Sequence, residues 1–283
     1  MIKSKNKRQA TEDRKPIYAK KSFGQNFLVD PNYIDKIIHA LDPQANETII
    51  EIGAGRGALT GKLIESEANV VAVELEREMI ANLREQFAGA ENFRLIESDA
   101  LKLNFEEIIE NPLTANRKPQ TAKLVANLPY YISTAILQKL IEQRDCFSEM
   151  ILMFQREVVE RITARAGDSE RGFLTVLTEA YLDAEKLFDV PPNAFHPAPK
   201  VWSSIVRLKP KDNIEIENED LFREIISAGF AQKRKTIFNN LKNAPNIFEN
   251  KDEVLRVLEE SKIEKNRRAE TLTLEEWARL SNF

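Results

Sequence analysis

The segment Glu51-Ile52-Gly53-Ala54-Gly55-Arg56-Gly57-Ala58 follows a β-branched run, Thr48–Ile52, and precedes residues that favour a helix. Three glycines between a strand and a helix let the backbone turn sharply and approach a ligand closely. Glu74 ends the next predicted strand about 20 residues later, where a carboxylate can accept hydrogen bonds from ribose hydroxyls. The segment therefore predicts a nucleoside site at the edge of a parallel sheet.

Strand and helix signals alternate over the first two hundred residues. Strands are predicted at residues 48–52, 69–75, 93–96, 122–126 and 150–154, and helices at residues 58–65, 77–87, 134–143 and 155–165. Such alternation is typical of βαβ units, in which helices cover both faces of a mostly parallel sheet. The predicted fold class is therefore α/β, with ligands at the carboxyl ends of the strands. A later strand, residues 201–208, is expected to run antiparallel to the sheet or to pair at its edge.

Composition divides the chain into three parts. Residues 1–21 carry eight Lys and Arg against two acidic residues in a chain of formal charge −4. We interpret them as a basic arm, with a solvated tail as the alternative. Residues 22–209 form the predicted α/β domain. Residues 210–283 are predicted to form a small all-helical domain, because strand signals cease and helix formers dominate at residues 220–230, 233–242, 252–261 and 274–280.

The composition also argues against several classes of protein. No apolar segment of a secretory signal follows the basic start, and no apolar run approaches the roughly 20 residues that span a bilayer. The single Cys146 cannot form an internal disulfide or a cysteine-rich zinc site, and only two histidines are present. We therefore expect a cytoplasmic protein with no membrane anchor and no metal site.

The tetrapeptide Asn127-Leu128-Pro129-Tyr130 follows the apolar strand 122–126 and carries the second chemical signal. A carboxamide at a strand end, a backbone held by proline and an aromatic ring can cradle a planar amine such as the N6 edge of adenine. Asp99, just past the third strand, can accept a hydrogen bond from an adenine amine, although Asp at such a position is often a helix or turn cap.

Three successive strand ends thus carry a glycine loop, a ribose acid and an adenine acid. This combination favours S-adenosylmethionine, which has no phosphates and so needs no basic loop. The loop alone also satisfies the G-x-G-x-x-G/A dinucleotide fingerprint, so a nicotinamide cofactor is still open on this evidence.

Taken together, the motifs resemble those of the ribosomal RNA adenine N6-dimethyltransferases. The similarity is strongest to the bacterial members that dimethylate two adjacent adenosines in the hairpin loop near the 3′ end of 16S ribosomal RNA. It extends from Lys20 to Leu280. Besides the loop, Glu74, Asp99 and the tetrapeptide, it rests on Phe23–Leu28, Gln155–Val158, Phe195–Val201, Ser203–Leu208 and Gln232–Thr236.

This resemblance implies a Rossmann-like class I methyltransferase domain that binds S-adenosylmethionine, followed by a helical domain that helps to hold RNA. The implied cofactor-binding residues are Asn26, Leu28, Gly53, Gly55, Glu74, Asp99 and Asn127. The implied catalytic residues are Asn127, Leu128, Pro129 and Tyr130. In this hypothesis the Asn127 side-chain oxygen and the Leu128 carbonyl accept the two N6 hydrogens, while Tyr130 stacks on the target base.

Basic residues at two places are expected to contact RNA phosphates. They are Lys20 and Lys21 beside the arm, and Lys233, Arg234 and Lys235 at the start of a predicted helix. Without the resemblance, the second cluster is as well explained by a solvated helix face. The partner implied by the resemblance is 16S ribosomal RNA in an immature 30S subunit, bound by a monomer.

Other functions fit parts of the sequence. A nicotinamide-dependent oxidoreductase would explain the glycine loop and Glu74, but it gives the tetrapeptide and the basic cluster no role. A ribosome-assembly factor without catalysis is disfavoured by Asn127, although a dual role is compatible with the family. The enzymes that confer macrolide resistance by modifying 23S ribosomal RNA share the first domain, but Leu128 and the Phe195–Leu208 region favour the 16S group.

Overall fold

The computed structural model describes residues 25–109, 121–212 and 216–283. Its strands are β1 (Phe27–Leu28), β2 (Thr48–Ile52), β3 (Asn69–Glu74), β4 (Phe93–Glu97), β5 (Ala122–Asn127), β6 (Phe147–Gln155), β7 (Leu182–Val190), β8 (Phe195–His196) and β9 (Ser203–Pro210). Its helices are α1 (Pro31–Leu41), α2 (Ala58–Glu65), α3 (Arg77–Gln86), α4 (Phe105–Ile109), α5 (Ser133–Glu142), α6 (Arg156–Ile162), α7 (Phe173–Tyr181), α8 (Glu219–Gly229), α9 (Ile237–Leu241), α10 (Lys251–Glu260) and α11 (Leu274–Ser281).

Seven strands form one sheet in the order β4-β3-β2-β5-β6-β9-β7. The first five are parallel, as predicted, and β9 runs antiparallel to both of its neighbours. The strand order reverses between β2 and β5, and α/β sheets bind their ligands at such a switch point. The glycine loop after β2 and the tetrapeptide after β5 therefore lie next to each other.

Register aligns three of the predicted site residues. Ile52, the last residue of β2, is level with the penultimate residues of β3 and β5. Gly53, Glu74 and Asn127, each one position further along, therefore lie side by side at the carboxyl edge of the sheet. This alignment needs no special contact, because it follows from the parallel pairing itself.

Both faces of the sheet are buried. The neighbouring residues Ile49 and Ile50 are each fully inaccessible, yet they belong to different apolar clusters. Ile49 packs with residues of α1 and α2, whereas Ile50 packs with residues of α5, α6 and α7. A strand buried on both faces favours apolar residues at successive positions rather than at alternate ones, and in the run 48–52 three isoleucines follow this pattern while Glu51 departs from it.

The C-terminal helices extend the second of these clusters across the predicted domain boundary at residue 210. Phe222 of α8 packs edge-on against Tyr181 of α7, with ring centroids 6.2 Å apart. Arg223 pairs with Glu142 of α5 at 2.9 Å. The apolar core is thus continuous between the sheet and the last four helices, and the division into two domains at this residue stays a prediction.

Three details differ from the sequence-based expectations. The helix expected at residues 233–242 begins only at Ile237, because Thr236 caps it by accepting a hydrogen bond from the Asn239 N–H at 3.3 Å. The placing of Lys233–Lys235 on a helix was therefore wrong, and these residues form an exposed turn after α8.

The strand near residues 201–208 is antiparallel, as expected, but the unpredicted β7 is the edge strand. Helices α1, α4 and α7 were also not predicted.

In the described ranges, every helix falls short of the length and apolar character needed to cross a membrane.

A glycine at the end of α8 permits the closest packing in the C-terminal core. A Cβ added to Gly229 would overlap the buried ring of Trp277 and lie 3.2 Å from Ile237. We expect Gly229→Ala to lower the free energy of unfolding by about 1 to 3 kcal/mol, since overpacking outweighs the ~1 kcal/mol gain in helix propensity. Urea denaturation measures this change. Gly89→Ala, where an added Cβ meets nothing within 4 Å, is the control, and equal effects at the two sites would contradict the packing argument.

Candidate active site

A cleft of about 1140 Å³, including solvent at its mouth, opens at the carboxyl edge of the sheet. It is lined by all of the predicted cofactor-binding and catalytic residues: Asn26, Leu28, Gly53, Gly55, Glu74, Asp99, Asn127, Leu128, Pro129 and Tyr130. The predicted RNA-binding residues Lys20 and Lys21 lie outside the described residues. Lys233, Arg234 and Lys235 are exposed on the turn after α8 and do not line the cleft.

The Glu74 carboxylate connects the end of β3 to the glycine loop. Its Oε2 accepts a hydrogen bond from the Gly55 N–H at 2.8 Å. Its Oε1 accepts from the N–H groups of Leu75 and Glu76 at 2.8 and 2.9 Å. A carboxylate offers about four acceptor positions. Three are used by the described backbone, which leaves one on Oε2 for a ligand hydroxyl.

The loop itself requires glycine at its closest approaches. Gly53 and Gly55 have φ values of +75° and +54°, in the region that side chains disfavour. A Cβ on Gly55 would also lie 3.2 Å from the ring of Phe27. Phe27 belongs to β1, which pairs antiparallel with β8. The segment from Asn26 to Leu28 is thereby fixed across the cleft from the loop.

The side-chain amide of Asn127 is oriented by a residue 101 positions earlier. Its Nδ2 donates to the backbone carbonyl of Asn26 at 3.2 Å. A carbonyl can only accept, so the nitrogen must face Asn26, and the oxygen of the amide is left as a free acceptor at the cleft. Asn26 therefore acts here through its backbone, which no side-chain pattern in the sequence could indicate.

Tyr130 is anchored at its far end. Its hydroxyl shares a 2.7 Å hydrogen bond with the hydroxyl of Ser203, which is fully buried at the start of β9. Burial raises the pKa of the Tyr130 phenol, and the bond to Ser203 works in the opposite direction. The phenol therefore stays neutral at physiological pH. The hydrogen bond holds the ring in a defined place at the cleft wall.

Asp99 combines the two roles considered from the sequence. Its Oδ1 accepts from the Leu101 N–H at 3.0 Å and caps a short 3-10 turn. Its Oδ2 has no hydrogen-bond partner among the described residues. One oxygen of the carboxylate is thus structural, and the other is available to a ligand in the cleft.

The lining charges favour a cationic ligand over a polyphosphate. Four carboxyl groups but only one cation, Arg56, line the described cleft. The Arg56 guanidinium lies 4.2 Å from the centroid of the Phe27 ring. S-adenosylmethionine carries a sulfonium, an ammonium and a carboxylate group and no phosphate, so its net positive charge fits this lining. The negative charges of a pyrophosphate would lie near these carboxyl groups, with only Arg56 among the described lining residues to balance them. Elsewhere in the described ranges, no cluster of His, Cys, Asp and Glu is arranged to hold a metal ion.

Glu51 is a lining residue to which the sequence analysis gave no role. Its side chain is 2% exposed within β2, and Thr60 Oγ1 donates to its Oε2 at 2.6 Å. Burial raises its pKa to about 7, opposed by the Thr60 hydrogen bond and reinforced by the charge of Glu74. A charged residue inside a run of buried aliphatic residues was the available signal.

Comparison with known proteins gives a consistent family. Residues 18–280 match the model of the family described as ribosomal RNA adenine dimethylase. A protein of Moorella thermoacetica named ribosomal RNA small subunit methyltransferase A is 40% identical, over 94% of this chain and 93% of its own. Its namesake from Saccharophagus degradans is 41% identical, over 98% of both chains.

Solved structures agree with this result. The crystal structure of a dimethyladenosine transferase from Plasmodium falciparum has a TM-score of 0.74 and 30% identity, and the match covers 90% of this chain and 95% of that one. The 23S rRNA methyltransferase ErmE has a TM-score of 0.64 at 22% identity, covering 90% of this chain and 98% of that one. The second similarity concerns the fold alone.

The raised pKa of Glu51 predicts a pH-dependent stability. Between pH 4.5 and about 7 the carboxyl ionises in the unfolded chain before it does so in the folded one. The stability associated with its protonated form is therefore complete below pH 4.5 and is lost as pH rises through about 7. In the unsubstituted chain, the titration of Glu51 should lower the free energy of unfolding by about 3 kcal/mol over this range. We expect this decrease to be absent in Glu51→Gln. Urea titrations at pH 4.5 and 8 test this.

The control for this measurement is Glu259→Gln, a change at an exposed position of α10. It should follow the pH dependence of the unsubstituted chain. If Glu51→Gln also follows it, the buried carboxyl does not titrate in this range.

Proposed function

The chain belongs to the ribosomal RNA adenine dimethylase family, and on that premise we propose that it dimethylates two adjacent adenosines in the hairpin loop near the 3′ end of 16S ribosomal RNA. It is an enzyme that uses S-adenosylmethionine to dimethylate adenine N6 in ribosomal RNA. The observation that best supports the proposed transfer to an adenine amine is the free Asn127 amide oxygen in the same cleft as Glu74 and Asp99. The relatives named for the small subunit support the choice of 16S RNA.

The natural substrate in this proposal is an immature 30S subunit in the cytoplasm, bound by a monomer. Adenosines in a loop are the accessible targets, since an unpaired base is cheaper to extrude than a paired one.

The cofactor end of the cleft offers one acceptor for each polar edge of an adenosyl group. The open position on Glu74 Oε2 suits a ribose hydroxyl, and Asp99 Oδ2 suits the adenine amine. Gly53 and Gly55 allow the loop to approach closely, and Asn26 and Leu28 border the methionine end. When bound, S-adenosylmethionine supplies a methyl group on a sulfonium, which is already a strong electrophile.

The tetrapeptide then prepares the acceptor nitrogen. Adenine N6 is a poor nucleophile because its lone pair is delocalised into the ring. If Asn127 Oδ1 and the Leu128 carbonyl accept its two hydrogens, the nitrogen becomes more pyramidal and its lone pair is directed toward the methyl donor. Pro129 stiffens the backbone between these groups, and Tyr130 stacks on the base. Such orientation can be worth up to roughly 7 to 11 kcal/mol.

No dedicated base is required in this scheme. The N6 proton becomes acidic only after the methyl group has been transferred, so water can remove it. After the first transfer only one N6 hydrogen is left, and the pocket must accept a methyl group in place of one hydrogen bond. Because Asn127 and Leu128 each accept a single hydrogen, one of them can bind the remaining N6 hydrogen while the other faces the methyl group.

RNA phosphates are proposed to contact the turn of residues 232–236, which we call the basic turn. Its Lys233, Arg234 and Lys235 side chains are exposed. Buried Asn240 holds the turn by donating to the carbonyl of Gln232 at 3.2 Å. Lys233 Nζ donates to the carbonyl of Ser169 at 2.6 Å. Cations on a fixed turn can position a substrate through its backbone.

The direct test is transfer of labelled methyl groups from S-adenosylmethionine to small subunits that lack the modification. We expect label in N6,N6-dimethyladenosine of the 3′-terminal hairpin. Label in another RNA would overturn the substrate. No label despite cofactor binding would favour an assembly factor that has kept its pocket.

Replacing the oriented amide should separate binding from chemistry. We expect Asn127→Ala to retain the fold and most of the cofactor affinity, but to lose at least about 100-fold in methyl transfer, as when one transition-state hydrogen bond is removed elsewhere. Calorimetry of cofactor binding and the labelled assay measure the two effects. Asn246→Ala, at an exposed site before α10, is the control. Unchanged turnover in Asn127→Ala would refute the role of the amide.

Reversing the charges of the basic turn should weaken RNA binding. We expect Lys233, Arg234 and Lys235 changed to Glu to lower affinity and to flatten its salt dependence by about 0.7 to 0.9 in logarithmic slope for each phosphate that is no longer neutralised. Cofactor affinity should not change. Binding titrations over a range of salt concentrations are the measurement. The same reversal at Lys62, Lys251 and Arg256, which are exposed on α2 and α10, matches the charge change; equal decreases in both variants would show a nonspecific effect.

A further inference from the structure

Exposed apolar side chains gather around the mouth of the cleft. The large apolar residues that are most exposed in the described ranges are Val29, Leu75, Tyr131, Val201, Trp202 and Phe283. Leu75 and Tyr131 line the cleft itself. Val201 and Trp202 immediately precede Ser203, the residue that anchors Tyr130. Five of the six therefore lie in the cleft wall or next to residues that line or hold it, and Phe283, near the C-terminus, is the exception.

Two aromatic rings in this set belong to residues next to the pair Tyr130 and Ser203. Tyr131 is 59% exposed and Trp202 is 48% exposed. Each is one residue away from an end of the 2.7 Å bond between Tyr130 and Ser203. The backbone beneath Trp202 is fixed, because its carbonyl accepts a hydrogen bond from the Arg156 N–H at 2.9 Å. Trp202 thus stands on fixed backbone next to Ser203, and Tyr131 follows Tyr130 in the cleft wall.

We propose that Tyr131 and Trp202 stack on the nucleobase next to the adenosine that Tyr130 holds. This inference rests on the function proposed above and adds a base-stacking site for the flanking nucleotide. Unpaired bases are commonly bound by aromatic rings, because every base has an apolar face that can be removed from water. A base within a duplex has both faces covered, so the rings select the unpaired loop.

Charge at the same place agrees with a nucleic-acid occupant. Lys200 lies two residues before Trp202, is exposed, and forms no ion pair with the described residues. A phosphate that connects the target and flanking nucleotides would find this cation beside the ring. An apolar protein partner would have no use for it.

The exposed ring also provides its own probe. The chain contains two tryptophans, and Trp277 is fully buried whereas Trp202 is half exposed. Acrylamide should therefore quench the fluorescence of Trp202 selectively. We expect a hairpin RNA with the target loop to protect it, and the same RNA with an abasic flanking nucleotide to protect it much less. Trp202→Phe identifies the signal.

Kinetics test the same stacking independently. We expect Trp202→Ala and Tyr131→Ala each to raise KM for RNA by about 5- to 150-fold, the range for removing one stacked base. Affinity for S-adenosylmethionine should not change, and Trp202→Phe should recover most of the affinity for RNA. Phe283→Ala, an exposed ring near the C-terminus that stacks on Phe248, is the matched control.

The outcomes separate this inference from the proposed function. If the chain methylates the loop while Trp202 stays open to acrylamide and Trp202→Ala keeps its KM, the stacking site is overturned and the function stands. If whole subunits protect Trp202 even when their flanking nucleotide is abasic, the stacking site is overturned in favour of a protein contact. A chain that methylates neither adenosine would overturn the proposed function and its extension together.

Discussion

The Glu74 carboxylate is the contact on which the cofactor end of the cleft depends. It accepts N–H groups from Gly55, Leu75 and Glu76, so one side chain joins the loop after β2 to the end of β3. Hydrogen bonds to an ionised acceptor are stronger than neutral ones, and they hold a loop that contains several residues of positive φ. The neighbouring Glu51 is buried, and its pKa of about 7 keeps a second negative charge away from this contact below neutral pH.

The tetrapeptide at the other end of the cleft depends on two further long-range contacts. The Asn26 carbonyl fixes the amide of Asn127, while Ser203 fixes the far end of Tyr130. The first contact comes from the chain before α1 and the second from β9, so the tetrapeptide is held from both sides. In the proposed function, orientation of a neutral nucleophile is useful only if the groups that orient it cannot relax. The two contacts would supply that rigidity.

Sequence patterns predicted the elements that are determined by residues close to one another in the chain. The boundaries of β2 and α2 were predicted correctly because the strand is rich in β-branched residues and the glycines mark the turn. Strand β7 was missed since it is an edge strand with charged residues at 183, 185 and 186. The basic turn was mistaken for helix because Lys and Arg favour helices, whereas Thr236 and Asn240 determine its actual shape through contacts that a sequence window does not show.

Continuity of the core determines how the basic turn and the cleft are related. The ring contact between Tyr181 and Phe222 belongs to an apolar cluster shared by the sheet and the C-terminal helices. Lys233 and the backbone of Gly167 add polar links between the same parts, to Ser169 and Glu270. A basic turn joined to the sheet in this way is held in place relative to the cleft. In the function proposed above, an RNA would contact both only if its backbone and its unpaired loop matched their separation, so the shape of the RNA would contribute to its recognition.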